Sequence, residues 1–322
     1  MSMQKRFSRW NEWLARRMFL LVLLALGLGF SVKLPAGPAV KGTVIVLFAY
    51  MTFVTSIGVS FRQFFRVLSR PWVPLWVLVL VHVVTPLVAW GAGQLFYPDD
   101  AQLRLGYLIG ASIPIGVTSI IWTSLTKGNL AVSLVAVTLD TLAAPVLYPL
   151  FFKVVAGQAL AFDFAGMVLE LLGMITIPSL AGMALHDAGG GRFARFAKTA
   201  GGCSAKVAFF LVVFINASLV APAMEWSLTL LKMLLVSLLM VTAAYAVGFL
   251  GSFFLRVRSR DIVMAMIYNV GLRNIAFGLV VALTYFPPVV AVPVTLFMLY
   301  QQPLATIIPY LFARFDRLCR SE

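Results

Sequence analysis

Apolar residues along this chain come in long blocks instead of stripes. Val73–Trp90 and Phe209–Val220 run with few polar breaks, whereas a soluble helix alternates an apolar face with a polar one. Blocks of this length predict helices that meet lipid or protein on all sides. Dividing the chain at charges and Gly/Pro clusters gives ten spans, at about 18–34, 42–61, 72–96, 103–126, 129–155, 164–185, 203–221, 227–254, 261–285 and 288–313, each near the twenty residues that cross a bilayer. The predicted fold class is an all-α polytopic membrane protein. Met18–Val32 follows Lys5, Arg6, Arg9, Arg16 and Arg17 and so imitates a signal peptide. It leads into Lys33-Leu34-Pro35-Ala36-Gly37-Pro38 with no small-x-small cleavage site, so it is expected to stay as the first transmembrane helix.

The two halves resemble each other weakly. Val84-Thr85 with Ala89 and Gly91 matches Val241-Thr242 with Ala246 and Gly248, and the polar interruption at Ile113–Ser119 sits opposite Tyr268–Asn274. Five spans per half is odd, so the second copy is expected upside down: residues 1–157 form the first inverted repeat and 158–322 the second. Inverted repeats are typical of secondary transporters, whose sites form where the repeats meet.

Composition narrows the class further. Of 322 residues, 61% are hydrophobic and 11% charged, with a mean hydropathy of +0.98. These values exclude a water-soluble enzyme, a disordered tail and a disulfide scaffold. The net charge of +14 would suggest nucleic acid in a soluble protein. Here nineteen of the 25 Lys+Arg fall on one side of the ten-span topology and five on the other, so no nucleic-acid partner is expected and both termini are expected in the cytoplasm. The expected location is a bacterial inner membrane, with the lipid bilayer as the surrounding partner. Cys203 and Cys319 are far apart and have no Cys/His spacing around them, so neither a disulfide, a metal site nor a cofactor is expected. No nucleophile–base set accompanies His82 and His186, which argues against an enzyme.

Polar features inside spans 4 and 9 carry the candidate chemistry. Span 4 is interrupted by Pro114 and Gly116, followed by Thr118 and Ser119. Span 9 is interrupted by Asn269, Gly271, Arg273 and Asn274. Broken backbone is tolerable in a bilayer only where it faces protein, water or a ligand, and the helix N-termini beyond each break favour an anion. Asp140 and Arg273 each lie about 13 residues past a cytoplasmic charge, Lys127 and Arg260, which at 1.5 Å per residue is roughly 20 Å, near the bilayer centre. His82 and Gly116 reach a similar depth. Arg273 cannot neutralise itself, whereas Asp140 can take a proton. Two readings are open: a structural ion pair, or an arginine that holds substrate charge with Asp140 as partner or proton site. His82 is a candidate proton relay, against the plainer reading of a hydrogen-bonded histidine. Glu170, early in span 6, is expected to snorkel outward.

These segments resemble the bile acid:sodium symporter family. That family has a broken span 4 reading roughly Pro-Gly-Gly-x-x-Ser-Asn, then Gly-Asn and a long span 5, and a broken span 9 reading Glu-x-Gly-x-Gln-Asn. The counterparts here are Pro114-Ile115-Gly116-Val117-Thr118-Ser119-Ile120, Gly128-Asn129 with Pro145 and Pro149, and Asn269-Val270-Gly271-Leu272-Arg273-Asn274. The resemblance implies a panel domain from spans 1, 2, 6 and 7, and a core domain from spans 3–5 and 8–10 in which spans 4 and 9 cross. It also implies alternating access with substrate between the domains. In the family, an acid at the Asn269 position, an amide at the Ile120 position and a Gln at the Arg273 position supply oxygens to sodium. This chain replaces all three, leaving Ser119, Ser133 and Asn274. A guanidinium where sodium would sit repels a second cation by several kcal/mol at close range.

The expectation is therefore a secondary transporter for a small organic anion that does not depend on sodium, with Arg273 as a tethered cation and coupling either to protons through Asp140 or absent, as in a uniporter or anion exchanger. A sodium-coupled symporter with a rebuilt site is the alternative. An arsenite-efflux carrier shares the Trp122–Gly128 pattern but relies on a span-4 thiol that Ser112–Ser124 lacks. A channel would want a continuous polar pore.

Overall fold

A computed structural model of the chain describes residues 3–35, 37–58, 60–62, 72–156, 164–223, 227–256 and 259–318. Arg66, Arg70, Arg258, Cys319, Arg320 and the 157/158 junction between the expected repeats lie outside them. Among the described residues the protein is all-helical, with no strand. In chain order the helices are α1 (Met3–Arg16), α2 (Met18–Ser31), α3 (Pro38–Ser56), α4 (Trp72–Phe96), α5 (Ala101–Ser112), α6 (Thr118–Leu125), α7 (Leu130–Ala156), α8 (Ala165–Ala188), α9 (Arg192–Lys198), α10 (Ala200–Val220), α11 (Leu228–Gly251), α12 (Arg260–Gly271), α13 (Ile275–Tyr285) and α14 (Pro288–Leu318). Seven are long and apolar enough to cross a membrane by themselves: α3, α4, α7, α8, α10, α11 and α14. They make this a multi-pass membrane protein.

Several element ends differ from the sequence reading, each for a local reason. The second span starts at Pro38, which fits the first helical turn because its missing N–H would have no partner there, and it ends at Ser56. The first span stops at Ser31, ahead of Pro35. Two short basic helices, α1 and α9, occupy segments read only as charged flanks. The segments read as spans 4 and 9 each form two short helices, α5/α6 and α12/α13, separated by short extended segments.

Prolines also shape the unbroken spans. Leu80–Val84 within α4 and Leu172–Thr176 within α8 are single wide π-helical turns, each followed by a proline, Pro86 and Pro178. A proline ring collides with the carbonyl four residues back, and one extra residue in the turn moves that carbonyl aside.

Contacts divide the chain into two compact units, Met1–Ser69 with Thr138–Pro222, and Arg70–Val137 with Ala223–Glu322. Helix α7 passes from the second into the first. In the first unit, α10 packs against α2 and α3, and α8 packs against α3. Small residues allow this: a Cβ on Gly29 would lie 2.6 Å from the Phe214 carbonyl oxygen, and one on Gly182 would lie 2.6 Å from that of Phe53. Close backbone approach is how helices gain packing energy where lipid removes the hydrophobic drive. In the second unit, α11 packs on α12 and α14, and α5 packs on α4 and α14. The interior includes Val77, Leu80, Val81, Ile115, Ala136, Val137, Met266 and Val270. Residues 112–116 and 269–273, at the two breaks, are buried in this interior, while Ile121 and Leu125 of α6 are exposed.

Candidate functional site

The two interruptions meet. Ile115 and Arg273 pair as an antiparallel bridge, with Gly116 N donating to Leu272 O at 2.8 Å and Asn274 N donating to Pro114 O at 2.7 Å. Each break thereby supplies the backbone partners that the other lost, which is what a bilayer demands of non-helical chain. Gly116 is needed here: a Cβ would lie 2.9 Å from the Arg273 carbonyl oxygen and 3.0 Å from its carbon. Gly116→Ala is expected to cost about 1–3 kcal/mol, the usual range for overpacking, read as a lower melting temperature in detergent. Gly91→Ala, within α4 and with nothing within 4 Å of the new methyl, serves as the control and should melt at or slightly above the wild-type temperature.

The half-helices leaving the crossing are capped from within. Asn274 accepts from Phe277 N at 3.3 Å through its side chain, so this candidate binding residue caps α13. Thr118, half-buried, starts α6. Helix α6 ends at Leu125 and turns through Lys127, held in the left-handed region at φ 56°, and Asn129 just beyond is clasped to the start of α12. Asn129 N donates to Asp261 O and Asn129 Nδ2 donates to Asp261 Oδ2, both at 2.9 Å.

Two polar groupings lie against the crossing. In the first, Asn269 is fully buried, and its Nδ2 donates to Ser133 Oγ and Ala265 O, both at 2.6 Å. Ser119 Oγ donates to Asn269 Oδ1 at 3.1 Å, and Ser133 shares a 2.8 Å hydrogen bond with Thr123. The chain Ser119–Asn269–Ser133–Thr123 is one connected, buried network, with an amide nitrogen among oxygens.

The second grouping surrounds Arg273, which is 4% exposed. Its Nη2 donates to Thr85 Oγ1 at 2.7 Å, and the Thr85 hydroxyl lies within hydrogen-bonding distance of Val81 O and Ala111 O. With its amide oriented to match, Gln301 donates to Arg273 O and accepts from Arg273 N, each at 3.2 Å. Tyr245 OH donates to Gln301 O at 2.7 Å. A small open recess adjoins this arginine. Thr85, Gln301 and Arg273 are its polar lining, and Met240, Val241 and Phe297 are among its apolar walls. A fixed cation in an apolar recess suits an anion with a small hydrocarbon body.

The remaining expected residues are described by their own helices. Asp140 is fully buried on α7 within the first unit. His82 is half-buried inside the wide turn of α4. Glu170 is exposed on α8. Thr85, Thr123 and Gln301 were not singled out from sequence, because a lone Thr or Gln on a membrane helix has no diagnostic spacing.

Comparison with known proteins gives a consistent picture. Residues 44–225 match the Sodium Bile acid symporter family. The chain is 33% identical over 271 residues to "Uncharacterized protein YbaS" of Bacillus subtilis (strain 168), covering 84% of this chain and 88% of that protein. It is 24% identical over 265 residues to "Uncharacterized sodium-dependent transporter YocS" of the same organism, covering 81% and 80%. It is also 24% identical over 249 residues to "Probable sodium/metabolite cotransporter BASS2, chloroplastic" of Oryza sativa subsp. japonica, covering 76% of this chain and 57% of that protein.

Proposed function

The chain belongs to the sodium bile acid symporter family, a family of membrane transporters and not of enzymes, and from that premise we propose that it is a secondary active transporter of a small organic anion of the carboxylate class, working by alternating access. The observation that carries the reading is Arg273, an arginine 4% exposed that lines an otherwise mostly apolar recess beside the crossing. A guanidinium keeps its proton under all physiological conditions and presents paired donors to a carboxylate.

The proposed cycle is independent of sodium. Hard cations are held by several oxygens, usually with an anion among them. Around Asn269 the corresponding interior is filled by a donor, Nδ2, bonded to Ser133 and Ala265. The positive charge that an ion would bring is supplied instead by Arg273. Asp140, fully buried on α7, is the proposed proton site, and His82 in the widened turn of α4 the proposed relay. The organisation is proposed to be ten spans in two inverted repeats, with α5/α6 and α12/α13 as equivalent broken spans, a panel set of spans 1, 2, 6 and 7 and a core set of spans 3–5 and 8–10. The proposed setting is a bacterial inner membrane with both termini cytoplasmic.

A sodium-coupled symporter with a rebuilt site is the second reading, favoured by the printed descriptions of YocS and BASS2. Melting temperatures in sodium, potassium and choline chloride at equal ionic strength separate the two. No sodium-specific change is expected. A bound ion stabilises by about 2.7 kcal/mol at 100 times its Kd, so a sodium-specific rise of that order would favour the second reading. Uptake of radiolabelled small carboxylates into proteoliposomes, in sodium-free buffer with an imposed pH gradient, tests the transport assignment. Flux is expected, and its absence for every carboxylate tried would overturn the assignment.

A further inference from the structure

Helices α1 and α9 are too short and too charged to cross a bilayer, yet both display aromatic rings outward. On α1, Phe7, Trp10 and Trp13 are 40%, 56% and 46% exposed and recur at helical spacing, with Arg6 and Arg9, also exposed, along the flank. The guanidinium of Arg17 sits 4.6 Å from the Trp13 ring centroid. Helix α9 repeats the pairing in miniature, with exposed Arg192-Phe193 and Arg195-Phe196 followed by Lys198.

Both helices gather at one end of α10. Asn11 Nδ2 donates to Lys198 O at 2.8 Å, Lys206 Nζ donates to Asn11 Oδ1, and Cys203 Sγ donates to Phe7 O at 3.3 Å. Helix α1 therefore docks through its polar edge and leaves its tryptophan face uncovered by this unit. Helix α10 then continues through 21 residues long and apolar enough to cross the membrane. Helices α1 and α9 lie beside its first turns.

We propose that α1 and α9 form a platform in the membrane interface that binds the headgroups of anionic phospholipids, the aromatic rings entering the acyl boundary and the cations meeting phosphate. Charge complementarity selects this occupant. Arg6, Arg9, Arg192, Arg195 and Lys198, with Arg17 just beyond α1, are opposed on the two helices by one acid, Glu12. Topology alone calls for basic loops, but it does not call for the interleaved exposed rings that interfacial helices use as anchors. The proposal is independent of the solute carried.

Brominated lipids test it, because bromine quenches nearby tryptophan. The full chain is reconstituted in phosphatidylcholine bilayers containing a minor fraction of brominated phosphatidylglycerol or, in parallel, of brominated phosphatidylcholine. The Trp10 and Trp13 signal is taken by difference from Trp10→Phe/Trp13→Phe. Quenching should be stronger with the anionic lipid, since each basic contact with an anionic surface changes partition roughly fivefold. Arg6→Gln/Arg9→Gln/Arg192→Gln/Arg195→Gln, all surface changes, should erase the preference while leaving quenching by brominated phosphatidylcholine. Equal quenching by the two lipids overturns the proposal, as does a preference that survives in the quadruple variant or no quenching by either lipid.

Discussion

Arg273→Gln is expected to weaken anion affinity by about 30-fold or more in the proteoliposome assay. Truncating one partner of a buried, hydrogen-bonded charge pair costs about 2–5 kcal/mol, and every 1.4 kcal/mol is a factor of ten. Glutamine ends at about the level of the arginine Nε, so the charge, the fork and the Nη2 hydrogen bond to Thr85 are lost together. The Thr85 hydroxyl retains Val81 O and Ala111 O as partners, and the backbone of residue 273 retains its pairing with Gln301. The crossing should therefore survive, and the melting temperature without substrate should move little. An apparent affinity equal to wild type would remove Arg273 from the binding site. A large fall in melting temperature without substrate would identify the arginine as a structural cation instead.

Asn269→Asp should have the largest effect on stability. At this fully buried position Nδ2 donates two 2.6 Å hydrogen bonds. Aspartate turns that donor into an acceptor facing Ser133 Oγ and the Ala265 carbonyl. Ser133 can rotate its hydroxyl to donate, but the carbonyl cannot. An uncompensated buried charge or acceptor costs about 3–5 kcal/mol, and the melting temperature in choline chloride should fall accordingly. The same change assembles an acid with Ser119, Ser133 and a carbonyl, which are the oxygens a sodium ion wants. Sodium should therefore restore part of the lost stability in Asn269→Asp and none in wild type. A variant as stable as wild type in choline chloride would show that the Nδ2 contacts contribute little, and the donor-filled interior could no longer account for sodium independence.

The features legible in the sequence were those with a strong local cause. Pro114 and Gly116 close together weaken a helix at one place, and Asn269–Asn274 puts a permanently charged residue and two amides in mid-span, so both breaks could be located. That they pair with each other is a tertiary fact, and only their matching positions in the two halves hinted at it. The apolar blocks identified the membrane helices because length and hydropathy act over twenty residues at once. Helices α1 and α9 were hidden for the opposite reason: they are short, and their charges read as topology signals. Asn274 looked like a ligand because it is an amide beside a break, but the same position is where α13 needs a cap. Thr85 and Gln301, which hold Arg273 from two sides, lie on α4 and α14, outside the interrupted segments. Hydroxyls and amides on membrane helices most often bond their own backbone, so neither could be distinguished by type or spacing.

The pairing of the two breaks also sets an order of assembly. Ser119 and Asn269 are 150 residues apart, and the backbone bridge beside them spans a similar separation. While the first half of the chain is in the membrane alone, the Gly116 N–H and the Pro114 carbonyl have no Leu272 or Asn274 to meet. That half carries a defect the bilayer penalises until α12 and α13 arrive. Contacts this distant pay their loop-closure entropy late and slow the final step. A chain cut after α10 should therefore insert yet be taken by proteolysis, and co-expressing the missing C-terminal piece should rescue it. Maturation of the intact protein would then be limited by the moment when its last third is threaded into place, not by insertion of the first helices.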